Sequence, residues 1–160
     1  MDPGYEPRLA GTSGRVALQP QIEPVVVESD SEAGSGNAVS VVMPVEGYLD
    51  VARLVTGGFA SQLSLGFETV DDIQLAIGLA LHTIPLAGSR VTVALASRLD
   101  SLTIALGTFE EGSIGPGLRA IVRQGLSLEA MLGRLVDDVE VLDGSSPELI
   151  LRKRLQAVQA

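Results

Sequence analysis

The sequence predicts one α+β domain, an α/β two-layer sandwich with helices on one face of a mixed or antiparallel sheet. Three observations predict it. The ordered part reads strand, helix, helix, strand, strand, loop and helix, strand, strand. Strands outnumber helices and neighbouring strands are joined by tight turns, which suits hairpins better than parallel crossovers. The helical segments each carry one apolar stripe, so each has one face to bury.

Residues 1–38 read as a flexible tail, acidic and rich in Pro and Gly, and 39–157 as the folded domain. Pro3, Pro7, Pro20 and Pro24 punctuate the tail, and ESDSEAGSGN (28–37) is small and acidic. Such a segment buries too little to offset its ordering entropy. The exception is PVVVE (24–28), a β-prone run that could pair with a partner or with the sheet edge.

The first strand is AVSVVMPV (38–45). A helix over about 47–64 follows, with Tyr48, Val51, Ala52, Val55 and Phe59 at helical spacing on its expected buried face. Gly57 and Gly58 lower its propensity and permit close packing. Gly66 is expected to terminate it. The second helix is the clearest element. Thr69 is its expected cap, with Asp72 three residues on, and Asp71 and Asp72 suit a first turn whose N–H groups are free. Ile73, Ala76, Ile77, Ala80 and Ile84 form its stripe, and Pro85 ends it.

VTVALAS (91–97), the turn RLDS (98–101) and LTIALG (102–107) predict a hairpin, with Leu102, Ile104 and Leu106 on one side. TFEEGSIGPGLRAIVRQG (108–125) reads as a Gly-rich mobile loop around one or two helical turns. A third helix starts near Ser127 and turns Leu128, Met131, Leu132 and Leu135 inward. DVEVLD (138–143), a turn at Asp143-Gly144 and ELILRKRL (148–155) form the last strand pair.

Composition narrows the function classes. The 160 residues hold no cysteine, which excludes disulfides, thiolate metal sites and cysteine nucleophiles. The net charge of -9 opposes direct nucleic-acid binding. The start MDPGYEPR lacks the apolar run of a signal peptide, and charge or proline interrupts every apolar stretch short of a membrane span. A soluble cytoplasmic protein is expected.

The run PVEGYLDVARLVTGGFASQLSLGFETVDDIQLAIGLALHTI, then LTIALGTFEEG, then GLSLEAMLGRLVDDVEVLDGSSPELILRKRL resembles the anti-sigma-factor serine kinases of the histidine-kinase-like ATPase superfamily. The resemblance covers about 40–155. It rests on element order, the VDDIQLAIGLAL helix and the GLSL–LVDDVEV block.

The resemblance implies a histidine-kinase-like ATPase fold with ATP between helices and a lid. It also implies a second helix reading E-A-x-x-N, whose Glu activates the attacking hydroxyl and whose Asn holds Mg²⁺. Here the Glu position falls at Leu79, which cannot accept a proton, and the Asn position at Thr83, a weak substitute. His82, adjacent to Thr83, points elsewhere around the helix and reads as an ordinary exposed or half-buried histidine. The adenine motif D-x-G-x-G falls at Thr108 and Glu110 without a gap; a two-residue shift puts Glu110 on the Asp and Gly112 on the Gly. The later G-x-G-L motif reads Gly125-Leu126-Ser127-Leu128, where Ser127 also serves as a helix cap. Arg119 and Arg123, four apart, could share a helical face.

These departures point to a degenerate ATP-binding site with no catalytic residue, no metal and no expected cofactor. The expected function is non-catalytic transcription regulation of anti-sigma-factor type through protein–protein interaction, with Arg53 as the candidate partner-binding residue. The partner would be a sigma factor or an anti-anti-sigma-like domain, with a homodimer also open. The alternatives are an ATP-binding serine kinase or nucleotide sensor using Mg-ATP, for which Glu110 and Glu111 are the nearby acids, and a scaffold unrelated to transcription.

Overall fold

A computed structural model describes residues 36–156. The PVVVE run and the rest of residues 1–35 lie outside the described residues, as do 157–160. The described elements are β1 (Ala38–Pro44), α1 (Tyr48–Gln62), α2 (Phe67–Thr83), β2 (Arg90–Arg98), β3 (Ser101–Gly107), α3 (Ile114–Arg119), β4 (Ile121–Arg123), β5 (Leu126–Ser127), α4 (Leu128–Leu135), β6 (Asp138–Leu142) and β7 (Glu148–Arg154). Five strands make one sheet in the order β1-β2-β3-β7-β6, and every neighbouring pair is antiparallel.

Strand alternation explains why the helices among the described residues cover one face of the sheet. In β2, Val91, Val93 and Leu95 are buried while Thr92, Ala94 and Ala96 are half-buried. The register sets Val41, Val93 and Leu106 side by side, and likewise Ile104, Leu151 and Val139. This period-2 stripe meets Ile73, Ala76, Ile77 and Ala80 of α2 in one core. The expected stripe of α2 and the apolar side of the β2–β3 hairpin are therefore as read from the sequence.

Several local expectations are corrected. The second helix is not capped by Thr69: its N-cap lies three residues earlier, at Gly66 in extended geometry with no side-chain cap, and the helix starts at Phe67. Gly66 thus opens α2 rather than closing α1, which ends at Gln62. Asp72 consequently sits in the second turn. There its carboxylate accepts from Lys153 Nζ at 2.9 Å, and the same ammonium donates to the Leu135 carbonyl at 2.7 Å. One cation ties α2 and the end of α4 to β7.

The buried residues of α1 are Ala52, Thr56, Phe59 and Ala60, with Tyr48 and Val55 packed against the core as expected, but Val51 is 39% exposed. A stripe read from apolar residues alone could not include Thr56. Met131 of α4 is half-buried rather than inward. The 108–125 segment is more structured than a loop. After α3 the chain forms a β4–β5 hairpin whose turn residues Gln124 and Gly125 both have positive φ, 47° and 76°, the geometry of a tight two-residue turn. Arg119 ends α3 while Arg123 lies on β4, so the two do not share a helical face. No helix among the described residues is long and apolar enough to cross a membrane.

Candidate functional site in the α1–α2 groove

α2 buries its 73/76/77/80 stripe and therefore presents Asp71, Leu75, Leu79 and His82 on its other side. α1 runs alongside. The two helices approach closely at Gly78, where a side chain would meet Leu49 Cδ2 at 3.6 Å. Gln74 Nε2 donates to the Arg53 carbonyl at 3.2 Å, which fixes the helices against each other. Between them lies a groove of about 530 Å³, lined by Leu49, Leu75 and Leu79 with Arg53, Asp71 and His82 around them.

Two of the candidate residues, Arg53 and Leu79, thus meet in one groove. His82 joins them: it is exposed, as expected, and lies three residues beyond Leu79, so the two share a helical side. Leu49, Leu75 and Gln74 were not singled out from sequence. The available signal was Leu75 and Leu79 at helical spacing off the buried stripe of α2.

Beneath the groove, Leu49, Ala52, Thr56, Gln74 and Ile77 surround a void of about 10 Å³. Thr56 is 2% exposed, and its hydroxyl has no hydrogen-bond partner among the described residues.

The remaining candidates are elsewhere. Thr83, half-buried in the last turn of α2, is not part of the groove lining. Thr108, Glu110 and Gly112 belong to the loop after β3, which is fastened to the end of α2: Glu110 N–H donates to the Pro85 carbonyl at 2.9 Å, and Ala87 N–H to that of Thr108 at 2.9 Å. Ser113 Oγ donates to the Glu110 carbonyl at 2.7 Å, while Gly112 occupies an exposed turn with φ 73°. Gly125 sits at the hairpin tip, and Ser127 caps α4 by accepting from Ala130 N–H at 3.2 Å.

Ile84, at the C-terminal end of α2, and Phe109, Ile114, Leu118, Leu128 and Leu132 of the following segments are all buried in one core. A Cβ at Gly117 would come within 2.7 Å of Ile84 Cγ1. The glycine lets α3 lie directly against the end of α2.

No protein-family model matches the chain, and no curated protein does.

The groove's apolar floor is bordered by one cation, one carboxylate and one imidazole, with no hydroxyl or thiol among its lining side chains. Asp71 and Leu79, eight positions apart, lie about 12 Å from each other along the helix axis. Among the described residues there is no group of three or more His, Cys, Asp or Glu placed to hold a metal ion.

Proposed function

We propose that this protein is a non-catalytic cytoplasmic regulator of anti-sigma-factor type, which binds a protein partner along the α1–α2 groove. Its nucleotide site is degenerate. The single observation that carries this reading is that Leu79, at the position of the family's catalytic Glu, shares an apolar groove with Arg53. An apolar side chain there supplies contact area to a partner and no proton acceptor to a reaction. The packing of Phe109, Ile114 and Leu128 against the end of α2 supports it further, since a purine would have to displace buried side chains. The partner class is a sigma factor or a small anti-anti-sigma-like domain.

Titration calorimetry with ATP and ADP, with and without Mg²⁺, tests the nucleotide half of the proposal. No heat is expected at about 1 mM nucleotide, an affinity weaker than about -4 kcal/mol. Binding without a magnesium requirement would instead make the protein a nucleotide sensor. Micromolar, magnesium-dependent affinity would restore the serine-kinase reading. The partner half is tested with purified sigma factors and anti-anti-sigma domains against the wild type, Arg53→Glu and Leu79→Glu. Capture by the wild type and its loss in both variants is the expected result; equal capture by all three places the interface elsewhere.

A further inference from the structure

The two edges of the sheet are finished differently. β6 carries Asp138 and Glu140, which hold Arg152 at 2.7 and 2.6 Å. Charge on an edge strand disfavours the addition of another strand. β1, the opposite edge, is AVSVVMP, without a charged side chain. Its one protective residue is Pro44, at the very end.

The ladder shows which backbone groups β1 leaves open. Ser97 N–H donates to the Asn37 carbonyl at 2.8 Å, and Val45 N–H to that of Ser89 at 2.9 Å. By antiparallel parity, the odd-numbered residues of β1 face β2. The N–H and C=O groups of Ala38, Ser40 and Val42 therefore point to the free edge, where no described residue pairs with them. Pro44 falls in the same even series, where a missing N–H breaks no bond to β2. Val42 is 54% exposed on one side of this edge, and Val39 is half-buried on the other.

We propose that this edge is completed by residues 24–28 of the same chain, added antiparallel to β1 as a sixth strand. The described chain begins at Gly36, at the N-terminal end of β1 and against Ser97, so the preceding residues leave from that end. A chain that turns back there runs antiparallel to β1. Residues 29–36, SDSEAGSG, are turn-forming types. Val25, Val26 and Val27 are the only three consecutive β-branched residues before Gly36, and that composition suits a strand. Consecutive valines alternate between the two sheet faces, so they cover both Val39 and Val42. Pro24 suits the first position of a strand. Glu23 and Glu28 bracket the run, giving the new outer edge the charge that β1 lacks.

The test is amide exchange by NMR on the full chain at two protein concentrations. It compares wild type with a variant carrying Val25→Ser, Val26→Pro and Val27→Ser. The Ser40 and Val42 amides should be protected in the wild type and lose at least about tenfold of that protection in the variant. The Val93 and Ile104 amides, which report the fold, should stay protected in both. Equal, fast exchange of Ser40 and Val42 in both proteins overturns the proposal. So does protection that survives in the variant and grows with protein concentration, which would assign the edge to a second copy of the chain.

Discussion

The two sides of α2 are closed in opposite ways. Towards α3 and α4 the helix ends in a sealed contact: Ile84 lies under Gly117, and Pro85 is hydrogen-bonded to the 108–110 loop. Towards α1 it leaves a groove with leucines in its floor and a small void lined by Thr56, whose hydroxyl no described residue partners. Leu54, beside Arg53 on α1, is 77% exposed. Single exposed leucines are ordinary, whereas leucines gathered in a groove are the feature on which the proposed partner site rests. The difference teaches that one helix can be sealed at one contact and left open at another, and that Leu79 lies on the open one.

The largest expected effect uses two positions on this one helix. Ile77→Asp puts an unpaired carboxylate at a position only 2% exposed in the core and should cost more than about 4 kcal/mol, leaving little folded protein. Leu79→Asp, two residues on and lining the groove, should cost about 1 kcal/mol or less because water can reach the new charge. Urea unfolding followed by circular dichroism measures both. Equal losses would erase the distinction between the two sides.

The sealed side has its own test. Gly117→Val forces a branched side chain against Ile84, where even a Cβ lies too close. Overpacking of that kind should cost about 1–3 kcal/mol. If α3 moves off instead, the 108–127 segment should become sensitive to protease while the sheet stays intact. A variant with wild-type stability and wild-type proteolysis would show that α3 does not press on α2.

The periodic elements were legible in the sequence because period alone defines them. The stripe from Ile73 to Ala80, the alternation of Val91 to Leu95 and the Ser127 cap needed no knowledge of neighbours. What escaped depended on tertiary context. Thr69 has the residue type of a cap, yet Gly66 holds that place because the connection from α1 arrives in extended geometry. The partnership of Asp72 with Lys153 spans most of the domain, so no local pattern announces it. At the site, Leu79 and Arg53 were each visible, but their meeting in one groove required the helix pairing.

That long-range partnership yields a smaller effect. Lys153 is mostly buried among its partners, and it satisfies both a carboxylate and the Leu135 carbonyl. Lys153→Met keeps the stem and removes the ammonium, which should cost about 1–3 kcal/mol through the acceptors left behind. Asp72→Asn should cost less, because the carbonyl bond survives. A double-mutant cycle in urea should return a coupling of about 0.5–1.5 kcal/mol. A coupling near zero would make the contact incidental.

The smallest effect bears on why the groove side is left open. The Thr56 hydroxyl is buried without a partner among the described residues, and such a group costs about 1–3 kcal/mol relative to one that is satisfied. Thr56→Val keeps the shape and the β-branch while removing the polar atom. With the site dry, the variant should gain up to about 1 kcal/mol, read as a higher urea midpoint with an unchanged slope. The void of about 10 Å³ is close to the space one water needs. A resident water shared by Thr56, Gln74 and the backbone would reverse the sign, because valine would strand it. Destabilisation by the valine would therefore show that the groove has a hydrated floor, and that a partner docking on Leu79 and Arg53 meets ordered water beneath them.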